Sequence, residues 1–207
     1  DAGQEASIDW GDGTTHTVVS ATSGQSGYIA HEYTTAGTYL VKVSGTMKAY
    51  RRVDSEDIVV GRDLLTHIRS FGKLGIKSFE RAFCHCTGLI SVPKYCPESI
   101  SKMSLMFYGC SGAAFNPDVS NWDVSNVTDM GYMFYRCSGD AFNPDFSAWD
   151  VSNVTNMRAM FRNCLGAAFN PDVSAWNVSK VTNMREMFQS CSGAAFRGGR
   201  GTAGTGI

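Results

Sequence analysis

Residues recur every 27 positions in this chain, and that period limits the folds open to it more than any other feature. Cys110, Cys137, Cys164 and Cys191 are each 27 apart. Phe107, Phe134, Phe161 and Phe188 keep the same register, as do Met106, Met133, Met160 and Met187. Three copies share Phe-Asn-Pro-Asp (115–118, 142–145 and 169–172), each followed by Trp122, Trp149 or Trp176, then Val-Ser and Val-Thr. Self-similarity at a fixed period of about 20–50 residues marks a solenoid or array, in which each unit buries its apolar face only against its neighbours. The pairs Phe107/Cys110, Phe134/Cys137, Phe161/Cys164 and Phe188/Cys191 are therefore expected to stack as an interior ladder.

Each unit splits into two patterns. Met130, Met133, Phe134 and Cys137 fall at i, i+3, i+4 and i+7, which predicts one face of a short helix. Met157 to Cys164 and Met184 to Cys191 repeat the pattern, and Phe79 to Cys86 and Met103 to Cys110 precede it. Thr128, Thr155 and Thr182, or the Asp or Asn after each, sit where an N-cap belongs. In the other half, Trp122 to Ser125, Trp149 to Ser152 and Trp176 to Ser179 alternate apolar and polar, as a strand does. Asn-Pro-Asp supplies a turn. The expected rung is one strand plus one helix, with rungs pairing into a parallel sheet.

The stretch 115–137, Phe-Asn-Pro-Asp-Val-Ser-Asn-Trp-Asp-Val-Ser-Asn-Val-Thr-Asp-Met-x-x-Met-Phe-x-x-Cys, resembles the repeat of BspA-like bacterial surface proteins and related mycoplasma lipoprotein repeats. Ile68 to Ile76 resembles the segment that often opens such arrays. The resemblance implies an extracellular, leucine-rich-repeat-like module for adhesion or host-protein binding, with no catalytic residues. Near the start, Ile8-Asp-Trp-Gly-Asp-Gly-Thr14, His31-Glu-Tyr33 and Ala36-Gly-Thr-Tyr-Leu-Val-Lys-Val43 resemble a PKD domain, an immunoglobulin-like β-sandwich, here lacking strands upstream.

The expected fold class is thus α+β. A small, truncated PKD-like β-sandwich covers 1–47, and 48–78 forms a connector and lead-in segment. A leucine-rich-repeat-like α/β solenoid covers 79–196, and 197–207 is a glycine-rich tail. Asp1 at the start and the Arg-Gly-Gly-Arg that replaces the next Asn-Pro-Asp suggest a piece of a longer protein.

Composition narrows function. A net charge of -1 gives no electrostatic case for nucleic acid. No apolar run approaches the roughly 20 residues of a membrane helix, so no membrane insertion is expected. The chain has seven cysteines, and those at the 27-residue spacing read as small buried apolar residues instead of a disulfide framework. Cys84-His85-Cys86 is the one arrangement that invites a metal or redox test, although Cys86 fits the ladder position. His16, His31, His67 and His85 pair by motif with no nucleophile, so neither enzyme activity nor a cofactor is expected. Asp9 and Asp12 fit turn capping better than Ca²⁺, which takes six to eight oxygens.

The candidate binding strip is Asp123, Ser125, Asp150, Ser152, Asn177 and Ser179, the residues set opposite Trp and Val. It recognises a protein or glycan, or it is a solvated outer face; the sequence leaves both open. The tryptophans are read as core before a sugar-stacking platform. Asn126, Asn153 and Asn177 open N-glycosylation sequons that repetition alone would produce. The functional expectation is a non-catalytic adhesion or ligand-binding module, extracellular or at the cell surface. A structural spacer, or an accessory region of a secreted hydrolase or phage tail protein, is the alternative.

Overall fold

The structure is a computed structural model that describes residues 5–19, 31–46 and 63–193. The glycine-rich tail and the connector before residue 63 lie outside the described residues.

The first unit is a three-stranded antiparallel sheet. Its strands are β1 (Glu5–Asp9), β2 (Thr15–Val19) and β3 (Lys42–Gly45), in the order β2-β1-β3. Ile8 faces His16 across one ladder and Val43 across the other. The β1–β2 turn is made by short acidic side chains. Asp9 Oδ1 accepts the Gly11 amide at 2.9 Å, and Asp12 Oδ1 accepts the Thr14 amide and hydroxyl at 3.0 and 2.6 Å. Gly11 sits at φ 80°, and a Cβ there would lie 2.8 Å from the Leu40 carbonyl oxygen. Trp10, His31, Tyr33 and Tyr39 pack in series, with Trp10–His31 and Tyr33–Tyr39 centroids at 4.8 and 4.1 Å. A β-sandwich was expected here; among the described residues there is one sheet, not two layers.

From residue 63 onward, the chain turns back on itself in stacked rungs. Single parallel bridges link Ser78 to Lys102, Lys102 to Asp129, Asp129 to Asn156 and Asn156 to Asn183. Rings one rung apart lie nearly parallel: Phe107–Phe134 at 5.5 Å, Phe134–Phe161 at 5.8 Å and Phe161–Phe188 at 5.4 Å. A second row, Phe115, Phe142 and Phe169, repeats at 5.9 Å. The core is the space between these rows.

The strand-and-helix rung is overturned, and with it the α+β solenoid. Among the described residues there is no helix, and the three N-terminal strands are the only ones. In Met130–Cys137, alternate amides leave the rung. Met130, Tyr132, Phe134 and Arg136 donate to the carbonyls of Asn156, Arg158, Met160 and Arg162 at 2.8–2.9 Å. The amides between them close tight turns, with Met133, Tyr135 and Cys137 donating to Met130, Tyr132 and Phe134. Tyr132 and Arg136 have φ 58° and 59°, and Ala159, Asn163, Glu186 and Ser190 repeat this one and two rungs on. These fall at the third turn residue, where type II turns need φ > 0.

The helical spacing misleads because a string of four-residue turns also returns to the same side every three to four residues. Thr128, Thr155 and Thr182 cap nothing helical. Each donates amide and hydroxyl to the carbonyl of Ser101, Thr128 or Thr155 in the rung before. The Trp-Asp-Val-Ser segments are turns too, with Trp122 and Val127 amides bonded to Val119 and Val124. Inter-rung pairing therefore concentrates in the half expected to be helical.

A column of glycines sets the rung approach. A Cβ on Gly112, Gly139 or Gly166 would lie 2.3, 2.1 or 2.1 Å from a carbonyl oxygen of the preceding rung. No atom fits at that distance, so this corner of every rung requires glycine. On the next corner, Asn116 Oδ1 accepts the Asn143 amide at 2.9 Å, and Asn143 Oδ1 accepts that of Asn170 at 2.8 Å.

Candidate functional site

The ladder residues form the interior wall. Phe107, Cys110, Phe134, Cys137, Phe161 and Cys164 are fully buried, Cys191 nearly so, and Phe188 is half-buried in the last described rung. The thiols of Cys110, Cys137, Cys164 and Cys191 donate to the carbonyls of Phe83, Phe107, Phe134 and Phe161 at 2.9–3.2 Å. Burial pushes the Cys110, Cys137 and Cys164 thiols well above their ordinary range, because a thiolate there would lack solvent. Burial likewise drives Cys96 up to about 12. Thiols so protected are poor nucleophiles. The indole N–H groups of Trp122, Trp149 and Trp176 donate to Pro93, Val119 and Phe146 carbonyls at 2.9–3.1 Å, and all three rings are buried. The faces of these three rings are not open to a sugar.

The acidic strip lies at the surface. Asp123, Asp150 and Asn177 are exposed, and each accepts the amide of Ser125, Ser152 or Ser179 at 3.0–3.1 Å. The serine hydrogen bonds hold the Asp123 and Asp150 carboxyls below their ordinary range. These side chains are turn anchors as well as surface charges. The Cys84-His85-Cys86 set divides across the wall: both cysteines are buried, while the half-exposed His85 lines a groove outside. Among the described residues, no group of three His, Cys, Asp or Glu side chains is placed to hold a metal ion.

That groove was not anticipated from sequence. It encloses about 480 Å³ and is lined by His85, Thr87, Gly109, Ser111, Arg136, Ser138, Asn163 and Leu165. The residues come from two adjacent columns of successive rungs, so the groove runs along the stack. Gly109 makes room at one end: a Cβ there would lie 2.5 Å from His85 Nδ1. Beside it stand Tyr108 and Tyr135, stacked at 4.7 Å and 5°. The Arg136 and Arg162 guanidinium carbons lie 5.4 and 5.9 Å from the Tyr135 ring centre, and that of Arg158 lies 5.5 Å from Tyr132. Asn163 Nδ2 donates to the Tyr135 hydroxyl at 3.3 Å. Arg162 pairs with Glu186 through Nη1, while its Nε is buried with no hydrogen-bond partner.

Sequence reasoning passed over these residues because they vary from rung to rung. The positions of Tyr135 hold Tyr108, Arg162 and Gln189 in other rungs, and those of Arg136 hold Gly109, Asn163 and Ser190. The signal was available as departures from the repeat, not as the repeat. Such an open row of hydroxyls with one amide, one imidazole and one guanidinium can bind a polar ligand by hydrogen bonds and charge.

Among the described residues, no helix is long and apolar enough to cross a membrane. Comparison with curated proteins and with solved structures returns no match. A protein-family model described as "Mycoplasma protein of unknown function, DUF285" matches residues 77–197, which takes in most of the stacked region and more than half of the chain. That range coincides with the repeats whose likeness to mycoplasma sequences the motifs suggested, and by this match the chain belongs to the DUF285 family of Mycoplasma proteins of unknown function.

Proposed function

We propose that this chain is a non-catalytic ligand-binding module of a secreted or cell-surface protein, with an extracellular protein or glycan as its partner. The observation that carries the reading is the groove along the stack, where His85, Arg136 and Asn163 stand on a surface held by repeating columns of buried phenylalanine, methionine and cysteine. Most buried positions repeat because packing dictates them, whereas outward positions such as Arg136 and Asn163 are free to differ and so to serve a ligand. The groove holds hydroxyls, an amide and the Arg136 guanidinium beside the stacked tyrosines, and tyrosine and arginine are enriched where proteins recognise partners. Membership in a mycoplasma family is in keeping with a surface location.

The test is an array of glycans and matrix proteins probed with the intact chain and with a Tyr135→Ala variant. Specific binding lost in the variant supports the module. Equal binding, or silence of the intact chain across the array, supports the alternative of a structural spacer or accessory region. Hydrolase or transferase activity abolished by one point substitution would overturn the non-catalytic reading.

A further inference from the structure

Charge is not spread evenly around the rungs. The segments carrying the amide ladder (79–87, 102–111, 129–138, 156–165 and 183–192) hold six Lys and Arg against three Asp and Glu. The segments between them on the Asn-Pro-Asp side (112–128, 139–155 and 166–182) hold six Asp against one lysine. Because rungs stack in register, the imbalance accumulates along the stack into one basic and one acidic side, although the whole chain is nearly neutral. A field of one sign along a cleft raises the local concentration of opposite charge.

The basic side is also the groove side, and its chemistry selects the ligand. Tyr108 and Tyr135 are stacked on each other, and the next position along that column is Arg162, over the Tyr135 ring. The faces of Tyr135 are thus occupied by its neighbours, leaving edges and hydroxyls for the ligand. A row of ring edges offers no slot for a nucleobase, which binds aromatic side chains by their faces. Arg136 and Arg158 are exposed, held beside tyrosine rings, and carry planar forks that match carboxylate or sulfate oxygens. Arg158 and Arg185 hold equivalent positions one rung apart on this side, so a polymer with anionic groups at regular intervals can meet both in turn.

We propose that the groove binds a linear anionic polysaccharide, carrying carboxylate or sulfate groups, along the axis of the stack. Arg136 in the groove and Arg158 outside it, beside Tyr132, supply the charge contacts, and the Tyr108–Tyr135 edge beside the groove supplies hydroxyl contacts. This rests on the binding-module reading and names its ligand class.

The experiment measures binding of the intact chain to immobilised heparin, hyaluronate and neutral dextran, with salt titration. The variants are R136Q/R158Q on the basic side and D123N/D150N on the acidic side, and circular dichroism spectra matching the parent verify their folds. All four positions are exposed, and none lies in the interior ladder. The expected result is binding to heparin, or to heparin and hyaluronate, that weakens with salt. It falls at least about tenfold in R136Q/R158Q, as loss of charged hydrogen bonds to the ligand requires, and is unchanged in D123N/D150N. Heparin alone identifies sulfate as the recognised group, and both polymers identify carboxylate as sufficient. Equal binding by parent and R136Q/R158Q, or equal retention on dextran, overturns the proposal. So does concentration-dependent self-association blocked by either double variant, which would assign the basic side to the acidic side of a second copy. Binding of a neutral glycan or a protein through Tyr135 without polyanion binding would sink the anionic ligand while leaving the module reading intact.

Discussion

At the scale of single residues, the rungs depend on positions where one atom too many has nowhere to go. Gly139 is one: its added Cβ would meet the Gly112 carbonyl oxygen at 2.1 Å, and backbone cannot swing aside as a side chain can. Gly139→Ala should therefore destabilise the stack by about 3 kcal/mol, the upper range for overpacking. Gly13→Ala provides the contrast, with φ 92° but nothing within 4 Å of the new Cβ. It should cost about 1 kcal/mol of backbone strain. Chemical denaturation of both variants measures the difference, and equal losses would mean that the rungs are not in close contact at Gly139.

The Asp12 turn supplies a pH-dependent counterpart. Bonds from the Thr14 hydroxyl and amide, with the His31 ring at 2.7 Å, hold its carboxyl at about 2, below the ordinary 3.8. A depressed folded value means the carboxylate stabilises the turn above the ordinary value, and that support disappears as pH falls from 3.8 through about 2. The Thr14 amide shift followed by NMR should titrate with a midpoint near 2; a midpoint near 4 would show that the Asp12–Thr14 bonds do not form.

At the scale of elements, the rung is the unit, and its cohesion is local. Each rung bonds to its neighbours through a short run of amides and touches them through phenylalanine, methionine, tryptophan and cysteine columns. Stability of such an array is close to a sum over rungs and their interfaces. Deleting residues 138–164, one full period, joins Cys137 to Leu165 at equivalent positions and should leave a folded, shorter and less stable stack. Deleting half a period would place Asn-Pro-Asp corners over phenylalanine columns and should abolish folding. Thermal unfolding followed by aromatic ellipticity separates the two outcomes.

This is also the scale at which the sequence was partly legible. The period and the buried columns were readable, because burial repeats whatever the backbone does. The backbone was not. Met130, Met133, Phe134 and Cys137 are spaced for a helix, yet Tyr132 and Arg136 take positive φ, and no residue type there announces it. Tyrosine and arginine are poor candidates for that region, so propensity pointed the wrong way, and neighbouring-rung carbonyls decided the matter. The Thr128, Thr155 and Thr182 column read as N-caps for the same reason: threonine hydroxyls bond backbone groups in either setting.

At the scale of the whole molecule, a repetitive interior supports a non-repetitive outside. The strip at Asp123, Asp150 and Asn177 attracted notice because it repeats, but its side chains are largely engaged in turns. The groove is harder to read from sequence because Gly109, Arg136 and Asn163 share a column that changes at each rung. The charge separation between the two sides follows from the same register, and it would vanish if residues 27 apart did not lie over one another.

That register is best tested by nuclear Overhauser contacts in protein labelled at phenylalanine and tyrosine. The stack predicts cross-peaks between Phe134 and Phe161 and between Tyr108 and Tyr135, whose ring centres lie 5.8 and 4.7 Å apart. Sequential amide–amide contacts running unbroken through residues 157–164, with no cross-peak between rings one period apart, would contradict it.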